Sequence, residues 1–297
     1  MKASQSQFVA IRGLRYHVRS WGHANAPKLF MLHGWMDVGA SFQFLVDALR
    51  RDWHVLAPDW RGFGESEWCE DGYWFADYMA DLDALLNHFV GDEPARLVGH
   101  SLGGNVVMLY AGARPLRVSH VVSLEGFGIP AEAPERAPAK MAKWLDALKE
   151  PSAFRPYADL AAVADQLQKK NPRLARDKAE FLAGHWAKAQ PDGSARLDSD
   201  PRHKLPTPTV YRLEDAVALW KQITAPVLWV AAAESFIPKW LGVPPDGEDT
   251  TDPLASIRAR LAHVQQGRLV SIDAAGHMLH LDRPEAVAAA IEPFLAT

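Results

Sequence analysis

Apolar residues fall in short blocks, separated by stretches with helical spacing. Lys28-Leu29-Phe30-Met31-Leu32 runs into His33-Gly34-Trp35, and Trp53-His54-Val55-Leu56-Ala57 runs into Pro58-Asp59-Trp60-Arg61-Gly62. Arg96-Leu97-Val98 ends at Gly99, and Val118–Leu124 ends at Glu125-Gly126. Pro226–Ala233 and Arg268–Ile272 are the last two blocks. Blocks with so little alternation predict strands buried on both faces, hence a parallel sheet covered by helices. Phe8–Ser20 alternates loosely, as an antiparallel pair at a sheet edge does. Phe42–Arg51, Tyr73–Val90, Leu102–Ala113, Pro253–Val264 and Pro284–Leu295 predict helices between and after the strands. The alternation gives a doubly wound α/β architecture, in which ligands sit outside the carboxyl ends of the strands.

From about Pro130 to Asp215 that alternation stops. Helical segments at Ala139–Lys149, Tyr157–Lys169 and Arg173–Ala189 are separated by Pro151, Pro156, Pro172, Pro191, Pro201, Pro206 and Pro208. The expected organisation is a core of residues 1–130 and 216–297, interrupted by a mostly helical insertion at 131–215. Leu241–Asp252, rich in Gly, Pro and acidic residues, is expected to be a surface loop.

Composition narrows the function classes. With 48% apolar and 23% charged residues and a net charge of −4, the chain has ordinary globular balance and no basic block for nucleic acid or an anionic membrane. One cysteine, Cys69, rules out an internal disulfide, and its acidic setting between Glu67 and Asp71 disfavours a reactive thiolate. No apolar run reaches the ~18 residues of a membrane span, and the polar start Met1–Gln7 has no leader-like segment. A cytoplasmic protein acting on a small molecule, as monomer or homodimer and without a cofactor, is the expectation. Eleven tryptophans suit an aromatic-lined pocket.

The chemistry concentrates at the strand ends. Gly99-His100-Ser101-Leu102-Gly103-Gly104 follows one buried block and opens a helix. Small residues on both sides of the serine permit a sharp, strained turn that projects its Oγ, and the Leu102 N–H at the helix start can face a developing oxyanion. Gly34 ends another block and lets the backbone approach, so the Trp35 N–H is the expected second oxyanion donor. His277, in Asp273-Ala274-Ala275-Gly276-His277 after the last block, is the expected base. His280 lies three residues on, which makes an HxxH metal pair the competing reading; the Ala-Ala-Gly approach favours a loop, and no metal is expected.

These motifs, with His33-Gly34, Asp59-Trp60-Arg61-Gly62-Phe63-Gly64-Glu65-Ser66 and Gly276-His277, resemble the α/β-hydrolase fold family from about Phe8 to Phe294. The resemblance implies a mostly parallel eight-stranded sheet, a helical cap formed by the insertion, and a structural role for Asp59–Ser66. It also implies a triad acid, for which two residues qualify. Glu234 follows Pro226–Ala233, the commoner family position, and Pro238 comes soon after. Glu125 follows Val118–Leu124, as in haloalkane-dehalogenase-like and serine-hydrolase-like members. Glu125 is preferred and Glu234 is the alternative.

A serine nucleophile implies attack on a carbonyl and an acyl-enzyme, rather than the alkyl ester formed by an aspartate. The expected activity is hydrolysis of a carboxylic ester of a small, moderately apolar substrate. A carbon–carbon bond hydrolase or perhydrolase using the same triad, and a non-catalytic ligand-binding relative, are the alternatives. Nucleotide binding is disfavoured because the glycines do not form G-x-G-x-x-G.

Overall fold

A computed structural model describes residues 1–149, 153–242 and 252–297. Most of the predicted surface loop at Leu241–Asp252 lies outside the described residues. In chain order the elements are β1 (Ser4–Ile11), β2 (Leu14–Trp21), β3 (Lys28–Leu32), α1 (Gln43–Ala48), β4 (His54–Pro58), α2 (Phe75–Val90), β5 (Ala95–His100), α3 (Leu102–Ala113) and β6 (Val118–Leu124). Then come α4 (Ala137–Lys149), α5 (Leu160–Lys170), α6 (Arg176–Trp186), β7 (Ala187–Ala189), β8 (Ala195–Leu197) and α7 (Leu213–Trp220). The chain finishes with β9 (Val227–Ala232), α8 (Ile237–Leu241), α9 (Ala255–Leu261), β10 (Gly267–Ile272), α10 (Leu279–Asp282) and α11 (Pro284–Leu295).

Eight strands form one sheet in the order β1-β2-β4-β3-β5-β6-β9-β10. β1 and β2 pair antiparallel, β2 meets β4 antiparallel, and the remaining pairs are parallel. The central strands alternate between two cores. Phe30 and Leu32 of β3 face one helical layer with Val106 of α3 and Leu85 of α2. Leu29 and Met31 face the other, with Leu45 of α1 and Ile291 of α11. β9 does the same, with Trp229 on the first side and Leu228 and Val230 on the second. Two-sided burial explains why these strands read as uninterrupted apolar blocks. The exception is β10. As the last strand of the sheet it leaves Arg268 and Ser271 exposed, and only its final residue, Ile272, is buried.

α2 buries Tyr78, Asp81, Leu82, Leu85 and Leu86, a single stripe at helical spacing. Asp81 is carried inward by its position on that stripe, and the Arg61 guanidinium meets it through Nε at 2.5 Å and Nη2 at 2.6 Å. Asp59 accepts from Gly39 N–H at 2.7 Å and from Glu65 N–H at 3.1 Å. His17 of β2 donates its N–H to Ser66 Oγ at 2.9 Å, so Asp59–Ser66, which directly follows β4, ties β2 and α2 to it.

The stretch between β6 and α7 has its own small core of Val163, Leu167, Leu174, Leu182 and Ala195, which reaches Leu281 of α10. It is also tied to the loop before α10. Asp282 accepts from Asn171 at 2.6 Å and from Gly276 N–H at 2.8 Å, and Lys178 Nζ donates to the Leu281 carbonyl at 2.9 Å. Two sequence expectations change here. The helix expected over Arg173–Ala189 stops at Trp186, and Ala187–Ala189 pairs antiparallel with Ala195–Leu197 across a Pro-Asp-Gly turn. The helix Leu213–Trp220 places Ala216 and Trp220 in the main core, so a boundary at residue 215 falls inside a core helix. Among the described residues, no helix is long and apolar enough to cross a membrane.

Candidate active site

Sheet order creates the site. β3 is followed in sequence by β4 on one flank, while β5 lies on the other, so the crevice at the carboxyl ends opens between β3 and β5. Leu32 pairs with Gly99 there, which brings the Gly34-Trp35 backbone beside Ser101. A Cβ built on Gly34 would stand 3.3 Å from Ser101 Cβ.

Ser101 is the residue between β5 and α3, with φ 50° and ψ −111°. A residue bearing a Cβ is strained there, and the surroundings must hold it. Ser101 N–H donates to the Leu124 carbonyl at 2.8 Å, and Asn105 N–H returns to the Ser101 carbonyl at 3.0 Å. The glycines let the layers close. A Cβ on Gly103 would collide with the Leu32 carbonyl, and one on Gly126 would lie 2.7 Å from the Ser101 carbonyl oxygen. The first N–H of α3, at Leu102, has no partner within its helix. Among the described residues, four of the five non-glycine residues with positive φ, Met36, Ser101, Glu125 and Ala274, lie just past β3, β5, β6 and β10.

The structure brings Ser101, His277 and Glu125 into one hydrogen-bonded line. Ser101 Oγ lies 3.0 Å from His277 Nε2, and His277 Nδ1 lies 3.2 Å from Glu125 Oε2. A carboxylate can only accept, so it selects the tautomer with the proton on Nδ1 and leaves the Nε2 lone pair facing the serine. Glu125 is 2% exposed. Its Oε1 accepts from Ala232 N–H at 2.7 Å, and its Oε2 also accepts from the Ser235 hydroxyl. Glu234 is elsewhere. Its side chain is 53% exposed and pairs with Arg173, although its N–H is bonded to the Ala275 carbonyl on the His277 loop.

Three neighbours escaped the sequence reading. Ser235 bonds Glu125, and Phe236 sets its ring 5.1 Å from that of His277. His100 donates its Nε2–H to the His277 carbonyl at 2.8 Å, fixing the loop. The sequence signal for His100 was an ionisable residue at the end of a buried strand. Burial drives His100 far below the usual histidine range, and the same desolvation takes His33 to about 4. Both are neutral. His33 donates from Nδ1 to the Gly34 carbonyl at 2.7 Å and accepts Trp60 N–H on Nε2 at 2.8 Å, bracing the turn that carries Trp35. His277 and His280 do not converge as an HxxH pair. His280 turns inward, its ring 5.3 Å from Phe42 and 4.4 Å from His100.

The tryptophans divide. Trp21, Trp60, Trp220 and Trp229 are core residues, whereas Trp35, Trp68, Trp74 and Trp240 are exposed. A concave patch lined by Trp21, Trp53 and Lys2 lies at the amino ends of the strands, away from Ser101.

Residues 27–284 match the family model described as alpha/beta hydrolase fold. The chain is 28% identical to a serine hydrolase-like protein of Danio rerio, over 93% of this chain and 83% of that one. It is 29% identical to the lipase LipV of Mycobacterium tuberculosis (strain ATCC 25618 / H37Rv), over 93% and 95% respectively. A solved structure of a hypothetical protein from Pseudomonas aeruginosa PAO1 superposes with a TM-score of 0.85 at 25% identity, covering 99% of this chain and 100% of that one. With its eight-stranded, mostly parallel sheet, this chain belongs to the α/β-hydrolase fold family.

Proposed function

We propose that the protein is a serine hydrolase that cleaves a carboxylic ester, or a similar acyl bond, of a small and moderately apolar substrate. The carrying observation is the line from Ser101 Oγ through His277 to the buried Glu125. In this reading His277 Nε2 takes the Ser101 proton as Oγ adds to the carbonyl. The Leu102 and Trp35 N–H groups receive the oxyanion, and Glu125 stabilises the imidazolium. His277 then protonates the leaving alcohol. Water, deprotonated in turn by His277, releases the acid and restores the hydroxyl.

A serine oxygen favours acyl transfer over opening of an alkyl halide or epoxide, where a carboxylate nucleophile is needed. The similarity to a lipase agrees with this reading. Two exposed aromatic residues, Trp35 next to Gly34 and Phe236 with its ring 5.1 Å from that of His277, suit an apolar group on the substrate. The segment between β6 and α7 is read as a cap over this crevice.

The test is p-nitrophenyl ester hydrolysis across a chain-length series, with fluorophosphonate labelling of the same protein. Labelling at Ser101 and turnover that disappears in Ser101→Ala are expected. A folded wild-type chain inert to the probe and to every ester in the series refutes the reading and favours a ligand-binding relative.

A further inference from the structure

Behind the His277 loop lies a second group of side chains that the proposed reaction does not use. Asp37 follows β3, His100 ends β5 and His280 belongs to α10. Each offers one ligand atom, and the three atoms lie within 4.8 Å of one another. All three residues are buried, His280 completely.

Among the described residues, their hydrogen-bond accounting is unbalanced. Asp37 Oδ1 is occupied by Val38 N–H at 2.9 Å, by Trp186 Nε1–H at 3.1 Å and by the Ser41 hydroxyl, while Oδ2 has no partner. His100 has committed its Nε2 proton to the His277 carbonyl, so its Nδ1 presents a bare lone pair, also without a partner. Both ring nitrogens of His280 are unpartnered. Buried polar atoms are rarely left in this state, because each costs the loss of its hydration. Two of these atoms can only accept, so the direct side-chain contacts do not complete the group.

We propose that Asp37, His100 and His280 form a buried site for a divalent transition-metal ion of the zinc type, a role the sequence did not lead us to expect. Two imidazole nitrogens and one carboxylate oxygen make a borderline donor set that suits zinc or cobalt, whereas calcium and magnesium prefer oxygen alone. Ligand atoms around four-coordinate zinc stand roughly 3.4 Å apart, so a cluster of this width closes through small side-chain shifts. His100 has the expected outer partner of a metal-bound imidazole, since its other nitrogen donates to a backbone carbonyl. The three ligands come from three separate elements, so an ion here pins the β3 loop, the end of β5 and α10 together. The proposal is independent of whether the protein cleaves esters.

The test uses the full chain, stripped with a chelator, dialysed against zinc and assayed for bound metal and thermal midpoint. One zinc per chain and a midpoint raised by several degrees are expected. Cobalt in place of zinc should give the intense visible absorption of a four-coordinate site, a readout that needs no variant. Asp37→Asn and His280→Phe, the latter filling the space beside Phe42, should lose the ion. Their metal-free circular dichroism shows whether they fold. His263→Ala, which removes an exposed histidine, should retain the ion. Less than half an equivalent of zinc in the wild type, a weak octahedral cobalt spectrum, or equal zinc in folded Asp37→Asn and His280→Phe overturns the proposal. The first result assigns the space to a buried water, and the last makes the ion adventitious.

Discussion

A serine held at φ 50° and ψ −111° costs the fold about 1–3 kcal/mol that a glycine would not. Ser101→Gly should therefore raise the urea midpoint, by an amount equivalent to roughly 1 kcal/mol, while abolishing ester turnover. A midpoint that falls instead means that the turn is not strained. Ser101→Ala should lower kcat by roughly 10³–10⁶. Glu125→Gln should lower it by at least about 10², because an amide can present its N–H to His277 and select the wrong tautomer. Glu234→Gln, at an exposed carboxylate paired with Arg173, should stay within about threefold of wild type. The serine and histidine could be picked from local motifs. Choosing between the two glutamates needed the third dimension, because both follow apolar blocks and only packing decides which carboxylate turns toward His277. The sequence paired His280 only with His277, and nothing in it joined Asp37, His100 and His280, since their relation is one of shared burial between distant segments.

The elements around the crevice rely on close backbone approach. Gly103→Ala would drive a methyl group into the Leu32 carbonyl, across the β3–α3 contact. It should cost on the order of 3 kcal/mol in denaturant unfolding and reduce activity through displacement of Leu102. Asp81→Asn would leave the Arg61 guanidinium facing a neutral amide, with Asp77 at 3.4 Å from Nη1 as its remaining charged partner, and an expected loss of about 3 kcal/mol, the low end for a broken buried pair. Strands β3, β5, β6 and β9 were legible because burial on both faces imposes an apolar block. β10 was read as one more apolar block, and its position as a strand held, but the two-sided burial expected of it did not, because as the last strand it has a neighbour on only one side. The hairpin at Ala187–Ala189 was hidden because three residues of alanine and lysine carry helix propensity, and the pairing with Ala195–Leu197 overrides it.

At the scale of the whole molecule, buried histidines set the response to acid. Desolvation lowers His33 to about 4, and His203 and His280 to about 3. The unfolded chain takes up these protons near pH 6.5, the folded chain much later. Stability from these groups is complete above that value and declines as the pH falls toward 4. Asp37 opposes them. Burial raises its carboxyl to about 6, so it favours the fold below that pH and loses this contribution as the pH rises from about 4 to 6. In the metal-free chain three histidines outweigh one carboxyl, and its urea midpoint should be lower at pH 5 than at pH 7.5. His203, stacked between Phe63 and Tyr73, contributes on the order of 1–2 kcal/mol of that difference. His203→Phe should flatten the profile, and an unchanged slope would place the acid sensitivity elsewhere. Asp282 has a consequence of another kind. One carboxylate holds both Asn171, among the inserted helices, and the amide of Gly276, immediately before the imidazole. Displacing the inserted helices would therefore pull on the loop that carries His277, so in the proposed reaction entry of a substrate and placement of the base would be linked through one carboxylate.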